Sequence, residues 1–194
     1  MQKPKKLILC IIGLPGAGKT TVAGIIRKKF SACLFESGDV IREEVRRRGL
    51  RYTKENDRKI AEWFHAGRER LIISRLSDRM KTCGGKIIVA EGFFAPEEIS
   101  MLGNIGKTVL IAVAAPSAVR YRREMLRRRF SGESEKYLRE RDRRELSEGL
   151  GKLLKKSDYK LPNSTTRKEL ERRTVALAKK ILEKESSAGT KIMK

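Results

Sequence analysis

A phosphate-binding loop constrains this chain more than any other stretch of its sequence. Residues 13–20 read GLPGAGKT and satisfy the pattern G-x-x-x-x-G-K-[S/T] at every fixed position. An apolar, β-rich run at residues 7–12 enters the loop, and apolar residues at helical spacing, among them Val22, Ile25 and Ile26, leave it. The order of strand, loop and helix is the one that phosphate binding requires, so the sequence predicts a nucleotide site in an α/β fold.

Each position of the loop has a physical role in this prediction. Its glycines let successive backbone N–H groups point at phosphate oxygens, and the following helix start adds partial positive charge. Lys19 is expected to reach the β- and γ-phosphates, and the Thr20 hydroxyl to bind Mg²⁺. The predicted nucleotide-binding residues of the loop are Gly13, Leu14, Pro15, Gly16, Ala17, Gly18, Lys19, Thr20 and Thr21. ATP and Mg²⁺ are therefore the predicted ligands.

Strands and helices alternate along the rest of the chain. Continuous apolar runs predict strands at residues 7–12, 33–36, 87–90, 108–113 and 159–161. Apolar residues at helical spacing fill the intervals, with Thr53 as a predicted helix cap and Gly67 as a predicted break. This alternation predicts a doubly wound, mainly parallel five-stranded sheet flanked by helices.

The length of 194 residues predicts a single domain, which we assign to residues 1–185. Residues 186–194 are small and polar and predict a flexible tail. Two segments are insertions into the alternating strands and helices. The first is a helical insert at about residues 39–82, interpreted as the acceptor-binding part, and the second is an arginine-rich lid at about residues 120–147.

Net charge is the unusual bulk property of the chain. The 46 Lys and Arg residues against 24 Asp and Glu residues give a formal charge of +22, and such a field attracts polyanions. Binding of RNA or the ribosome is one interpretation. The other is a set of solvated helix faces together with arginines that hold small phosphate substrates. The second is favoured because no RNA-binding motif or cluster of stacking aromatic residues accompanies the charge.

Cysteine usage and hydropathy bear on the compartment. Cys10, Cys33 and Cys83 are odd in number and lack metal-ligand spacing, which predicts reduced thiols. The apolar run at residues 7–12 is too short for a secretory signal and ends in the loop. No apolar run is long enough to span a membrane. We therefore expect a cytoplasmic protein without membrane association.

The segment SGDVIR at residues 37–42 follows the second predicted strand. Asp39 and Arg42 lie three residues apart on one helical face, at the sheet edge where ligands of open α/β folds bind. An arginine there can grip a phosphate, and an aspartate can orient or deprotonate an acceptor hydroxyl. The alternative is that Asp39 only caps the helix and Arg42 is solvated. We interpret both as catalytic residues on the acceptor side.

Glu91 follows the apolar strand at residues 87–90. A carboxylate at this place can bind the water of a metal ion or act as a base toward a hydroxyl acceptor. The alternative is an ordinary turn residue at a strand end. We interpret Thr20 and Glu91 as the metal-site residues and Glu91 as catalytic.

Arginines flank a break at Ser131 and Gly132. Phosphoryl transfer needs mobile positive charge that closes over the γ-phosphate and excludes water. Arg123 and Arg127 share a helical face and are the predicted catalytic arginines, and most of the others must be solvated because one site cannot use them all. The flanking arginines are Arg120, Arg122, Arg123, Arg127, Arg128, Arg129, Arg139, Arg141, Arg143 and Arg144.

Together, the loop, the SGDVIR segment, the Glu91-Gly92 pair and the arginine-flanked break resemble the P-loop nucleoside monophosphate kinases, adenylate kinase above all. The chain is more closely similar to an archaeal-type family described as adenylate-kinase-related or dephospho-coenzyme-A-kinase-like. This similarity extends through ERDRREL at residues 140–146 and SDY at residues 157–159, and so covers nearly the whole chain.

The resemblance implies an adenylate-kinase-like fold and roles for individual residues. The loop would bind the ATP phosphates and Mg²⁺, and Asp39 and Arg42 would face the acceptor. Arg123 or Arg127, with some arginines of the ERDRREL segment, would belong to the lid. The turn at Asn163 would approach adenine.

Two departures from adenylate kinases narrow this expectation. Those enzymes carry an aspartate where Glu91 stands, followed shortly by a proline and an arginine that helps grip the acceptor phosphate. Here Gly92, Phe93, Phe94 and Ala95 follow, so that arginine is missing and AMP is in doubt as the acceptor. The lid is also short and lacks the cysteine set of zinc-containing versions, so no structural metal is implied.

The sequence therefore predicts an ATP- and Mg²⁺-dependent phosphotransferase with a small, nucleotide-like acceptor. A nucleoside monophosphate would call for convergent arginines, whereas a hydroxyl acceptor such as dephospho-coenzyme A would call for a carboxylate base, and both stay open. An alternative from another class is an ATPase that works on RNA or the ribosome through the basic surface. A third is a nucleotide-binding regulator with negligible turnover.

Overall fold

A computed structural model describes residues 6–127 and 134–190. The predicted break at Ser131 and Gly132, together with Arg128 and Arg129, lies outside the described residues. The strands of the described part are β1 (Lys6–Ile12), β2 (Cys33–Glu36), β3 (Ile87–Glu91), β4 (Gly106–Ala114) and β5 (Tyr159–Pro162). Each predicted strand is confirmed to within three residues at either end.

The strands form one sheet in the order β2-β3-β1-β4-β5, and every pair in it is parallel. This confirms the predicted five-stranded parallel sheet. Since parallel strands share one direction, their carboxyl ends meet at the same edge. The phosphate-binding loop follows β1 at this edge, and Glu36 and Glu91, which are register partners at the ends of β2 and β3, lie beside it.

Helices cover both faces of the sheet. The helices are α1 (Lys19–Phe30), α2 (Ser37–Arg47), α3 (Lys54–His65), α4 (Glu69–Thr82), α5 (Pro96–Ile105), α6 (Ser117–Arg127), α7 (Glu135–Glu145), α8 (Gly151–Lys155) and α9 (Arg167–Thr190). In the described part of the chain, no helix is long and apolar enough to cross a membrane. The Thr53 hydroxyl accepts from the Asn56 N–H at 3.2 Å and caps α3, and Gly67 separates α3 from α4. Both features confirm the prediction.

Strand β1 shows why the core has two layers. Ile8, Cys10 and Ile12 pack toward α2–α5, whereas Leu9 and Ile11 pack toward α1 and α9. All five side chains are at most 1% exposed, as expected for a central strand buried on both faces. The apolar run that enters the loop is therefore anchored from both sides.

Two predicted boundaries differ from the structure. Helix α7 passes into a π-helical turn, Leu146–Leu150, and then into α8, neither of which was predicted. Helix α9 runs to Thr190, so the prediction of loose chain from residue 186 is wrong for residues 186–190. The Ser187 hydroxyl donates to the Glu183 carbonyl at 2.9 Å, which keeps this polar segment compatible with a helix. Residues 191–194 lie outside the described residues.

Candidate active site

The phosphate-binding loop has the concave backbone that its glycines predict. Gly16 and Gly18 have φ of 74° and 98°, in the left-handed region that favours glycine. A Cβ at Gly16 would collide with the Arg120 carbonyl, and one at Gly18 with the Asn163 side-chain amide. The loop is therefore enclosed by α6 on the side of Gly16 and by the turn after β5 on the side of Gly18, and neither position has room for a side chain.

Asn163 supports the loop from the sheet. Its side-chain amide donates to the Ala17 carbonyl at 2.7 Å, and its backbone N–H donates to the Ala114 carbonyl at 2.7 Å. The residue is 4% exposed and does not line the main cavity. The approach of this turn to adenine stays a prediction, while the side chain itself holds the loop in place.

Arg120 supports the loop from α6. Its guanidinium donates to the Pro15 carbonyl at 3.0 Å and to both carboxylate oxygens of Asp142 at 3.0 and 2.6 Å. The Tyr121 hydroxyl donates to the same carboxylate at 2.9 Å. This buried cluster ties α6 and α7 to the loop, so Arg120 has a structural role that its place in the arginine series did not reveal.

The loop lysine lies within the cradle. Lys19 Nζ donates to the carbonyls of Gly13 at 2.7 Å and Leu14 at 3.3 Å. Burial lowers the pKa of Lys19, and the charges of Glu145 and Glu91 oppose that shift. The ammonium thus lies beside the loop and beside two carboxylates, at the predicted phosphate position.

Thr20 and Glu91 meet as predicted for a metal site. The Thr20 hydroxyl donates to Glu91 Oε2 at 3.3 Å. Burial raises the pKa of Glu91, and the nearby Lys19 charge opposes that shift. A hydroxyl and a carboxylate are hard oxygen ligands of the kind that Mg²⁺ prefers, so this pair fits the ion.

A cavity of about 610 Å³ opens at the carboxyl edge of the sheet. The predicted site residues that line it are Gly13, Pro15, Gly16, Gly18, Lys19, Thr20, Thr21, Arg42, Glu91, Arg123 and Arg127. Those that do not are Leu14, Ala17, Asp39 and Asn163. Arg141, one of the arginines that flank the predicted break, also lines the cavity. Further lining residues that the sequence analysis missed include Glu36, Glu62, Phe94, Glu145 and Glu148. For Glu36 a signal existed, because it ends an apolar strand just as Glu91 does.

The two predicted catalytic arginines reach the cavity from α6. Arg123 donates to the Gly16 carbonyl at 3.4 Å and so lies directly against the loop. The Arg127 side chain is 56% exposed and lies 3.9 Å from Glu124. One arginine thus lies at the phosphate cradle, and the other lines the cavity with an exposed side chain that pairs with Glu124.

Arg42 and Asp39 occupy different places although they share a helical turn. Arg42 Nη2 donates to Asp39 Oδ1 at 2.6 Å and lies 3.4 Å from Glu36 Oε2. The Asp39 side chain is 52% exposed and lies outside the cavity. The structure therefore brings Arg42 to the site and leaves Asp39 behind it, so a direct contact of Asp39 with the acceptor is not supported.

The part of the cavity farthest from the loop is formed by α3, the β3–α5 connection and the π-helical turn. The His65 and Phe94 rings lie 4.3 Å apart there. Arg144 pairs with Glu62 at 3.6 Å and with Glu148 at 4.0 Å. Phe94 belongs to the segment after Glu91 in which the arginine of adenylate kinases is missing. His65 packs against Phe94 and also lines the cavity.

Family comparisons agree with this architecture. A family model described as an AAA domain matches residues 12–142. A UPF0200 protein of Hyperthermus butylicus is 30% identical over 192 residues, covering 97% of this chain and 100% of that protein. A UPF0200 protein of Aeropyrum pernix is 35% identical over 174 residues, covering 88% and 91% respectively. The predicted resemblance to an archaeal P-loop family is confirmed.

Solved structures share the fold. Shikimate kinase from Acinetobacter baumannii, in complex with shikimate, superposes with a TM-score of 0.63 at 18% identity, covering 94% of this chain and 96% of that chain. A gluconokinase from Sinorhizobium meliloti gives a TM-score of 0.62 at 13% identity, with coverages of 96% and 99%. At these identities the likeness shows the fold alone, and it is the fold of P-loop kinases.

Proposed function

The chain belongs to the AAA domain family and to the UPF0200 proteins, and we propose that it transfers the γ-phosphoryl group of ATP to a small, nucleotide-like acceptor. The observation that carries this proposal is that one cavity is lined both by the phosphate cradle and by residues of α2, α3 and the β3–α5 connection, and we call the part formed by these latter residues the recess. The cradle holds Lys19 and the Thr20–Glu91 pair, and the recess holds Arg42 and Phe94. Hydrolysis of ATP alone would need only the cradle.

On the donor side, the loop holds the ATP phosphates. Lys19 leaves the loop carbonyls to which it donates and binds these phosphates instead. Lys19, Arg123 and Arg127 stabilise the charge that spreads over the transferring group. Thr20 and Glu91 would hold Mg²⁺, which when bound neutralises charge on the phosphate oxygens. The support for these roles is that all five side chains line the cavity, with Arg123 3.4 Å from the loop carbonyl of Gly16.

On the acceptor side, Arg42 contacts the acceptor and Asp39 positions Arg42 through their 2.6 Å hydrogen bond. A nucleoside monophosphate and a hydroxyl acceptor of the dephospho-coenzyme A type are the two acceptors that the family resemblance supports. The missing arginine after Glu91 counts against the first of these.

The test is transfer of label from γ-labelled ATP, with Mg²⁺, to nucleoside monophosphates, dephospho-coenzyme A and other small hydroxyl compounds. We expect one small molecule to become labelled, and Lys19→Ala to abolish the transfer. Lys28→Ala is the matched control because Lys28 is exposed on the same helix outside the cavity. Label that appears only as inorganic phosphate and is accelerated by RNA would refute the small-molecule kinase and favour the RNA-linked ATPase.

A further inference from the structure

The charges of the acceptor side differ from those of the whole chain. The charged cavity residues of β2, α2, α3, the end of α7 and the π-helical turn form what we call the acceptor wall. Glu145 is not counted in it, because it pairs with Arg141. In the described part of the chain its acids are Glu36, Asp57, Glu62 and Glu148. Its arginines are Arg42, Arg58 and Arg144. The chain has 46 basic and 24 acidic residues, yet on this wall the acids outnumber the arginines.

Each arginine of the acceptor wall already has a carboxylate partner. Arg42 lies 2.6 Å from Asp39 and 3.4 Å from Glu36. Arg58 lies 3.9 Å from Glu62. Arg144 lies between Glu62 and Glu148, as described above. A phosphate that entered here would meet more carboxylates than arginines, whereas phosphate sites present converging cations.

The donor side gives the internal contrast. Lys19 donates to the carbonyls of Gly13 and Leu14, and Arg123 donates to the carbonyl of Gly16. Carbonyl oxygens are neutral, so an anionic phosphate displaces them without leaving a carboxylate uncompensated. Lys19 and Arg123 are thus held at the phosphate cradle by carbonyls, and only Arg127 of the three donor-side cations pairs with a carboxylate, that of Glu124 at 3.9 Å. All three arginines of the acceptor wall are held by carboxylates.

The potential at the acceptor wall follows from these neighbours. Burial raises the pKa of Glu148, and the charges of Glu145 and Glu62 raise it further against the opposing charge of Arg144. Phe94 and His65 add ring faces instead of a further cation. The recess therefore offers hydrogen-bond acceptors and apolar surface to a ligand.

We propose that the acceptor is a hydroxyl compound that carries no phosphate on this wall, and is neutral or positively charged there. This inference rests on the proposed phosphotransferase function and chooses between its two acceptor classes. It places the carbon skeleton of the acceptor against Phe94 and His65, and its polar groups against the carboxylates of the wall.

Transfer of the γ-phosphoryl group to this acceptor forms one bond and breaks another. The acceptor oxygen forms a bond to the γ-phosphorus, and the bond from that phosphorus to the bridging oxygen of ADP breaks. The hydroxyl proton passes to Glu36, the register partner of Glu91, and from there to solvent. ADP leaves with the electron pair of the broken bond.

The experiment measures binding of inorganic phosphate and nucleoside 5′-monophosphates by titration calorimetry, with the donor side filled by Mg²⁺ and a non-hydrolysable ATP analogue. We expect no binding at millimolar concentration to the unaltered protein. A double variant, Glu62→Gln with Glu148→Gln, leaves Arg144 without its carboxylates and should gain about tenfold or more in affinity for these anions. Glu55→Gln is the matched control, since Glu55 is an exposed acid of α3 outside the cavity.

Tight binding of a monophosphate to the unaltered protein would overturn the inference, and so would a double variant that gains nothing. A gain confined to the double variant would support it. Unfolding midpoints show that the variants fold. Binding of the ATP analogue is measured for each of these proteins and for Lys19→Ala, which should lose it. A failure of the donor site is thereby distinguished from a failure of the acceptor assignment.

Discussion

Two buried glutamates show how environment decides the charge of one residue type. Glu44 is fully buried on α2, and the guanidinium groups of Arg47, Arg48 and Arg75 lie within 2.8 Å of its carboxylate. The hydrogen bond from Arg47 is the largest of the effects that hold the pKa of Glu44 far below its usual range. Glu98 is equally buried, and burial raises its pKa to about 8. One glutamate is thus fixed as an anion and the other is held neutral.

The first prediction is a pH dependence of stability that Glu98 causes. Its Oε2 accepts the N–H groups of Phe94 and Ala95 at 2.9 Å, at the start of α5. Between the unfolded pKa near 4.5 and the folded value of about 8, the folded state binds more protons than the unfolded state. The free energy of unfolding must therefore fall as pH rises through this window, by up to about 1.4 kcal/mol per pH unit.

Glu98→Gln removes the titrating group and keeps an oxygen for the two N–H donors. Denaturant unfolding at several pH values should show the variant gaining stability relative to the unaltered protein as pH rises from 5 to 8. A constant difference between the two proteins across this range would contradict the raised pKa.

The second prediction concerns the buried ion pair of Arg120 and Asp142. Arg120→Ala leaves the carboxylate of Asp142, which is 7% exposed, without its guanidinium, and should cost about 3–5 kcal/mol of unfolding free energy. The variant also loses the donor to Pro15 and should bind ATP more weakly. Arg139→Ala is the control because Arg139 and its partner Glu135 are 63% and 51% exposed, and its loss should be much smaller. Equal losses in the two variants would refute the bracing role.

Individual site residues were predictable where a local pattern determines their position. Lys19, Thr20 and Glu91 follow from a motif and a strand end, and the structure brings them together. Asp39 lies outside the main cavity, because helical spacing predicts that it is near Arg42 but not which of the two side chains lines the cavity. The support that Arg120 gives to the loop depends on Asp142, 22 residues away, and no local pattern encodes such a partner.

At the scale of elements, the π-helical turn Leu146–Leu150 is the feature that shapes the acceptor recess. Gly149 has φ of 131°, and a Cβ there would collide with Pro96 and approach the Phe94 carbonyl. The turn thereby presses against the β3–α5 connection and carries Glu148 into the cavity.

The third prediction tests this turn with Gly149→Ala. The variant has both an unfavourable φ and a collision, so it should lose about 1–3 kcal/mol of unfolding free energy. Gly103→Ala is the matched control, since a Cβ at this position of helix α5 meets nothing within 4 Å. The control should be neutral or more stable by about 0.5–1 kcal/mol. Denaturant unfolding of both variants measures these changes in unfolding free energy. A Gly149→Ala variant as stable as the unaltered protein would show that the turn does not require glycine.

The regular elements were predictable and the irregular ones were not, for a physical reason. Apolar runs and the cap at Thr53 are local signals, and they place all five strands and the start of α3. The π-helical turn follows from packing of Gly149 against Pro96, which lies more than fifty residues earlier in the chain. A contact of that kind leaves no period in the sequence.

The molecule as a whole separates its charges. The formal net charge is +22, while the cavity wall has seven carboxylates and seven lysine or arginine side chains within the described ranges. The excess positive charge is therefore on the outer surface and not in the recess. A surface of this kind attracts polyanions.

The last prediction follows from this separation and addresses RNA as a partner. Single-stranded RNA should bind at about 50 mM salt and lose at least about a hundredfold in affinity by about 200 mM, because released counterions drive the binding. It should leave ATP hydrolysis unchanged within about twofold, since the catalytic groups face the charge-balanced cavity. Fluorescence anisotropy and phosphate release measure the two quantities. Lys19→Ala should abolish hydrolysis and keep RNA binding, because one cavity lysine adds little to a charge of +22. Binding that resists salt and accelerates hydrolysis many-fold would instead make the basic surface the functional site.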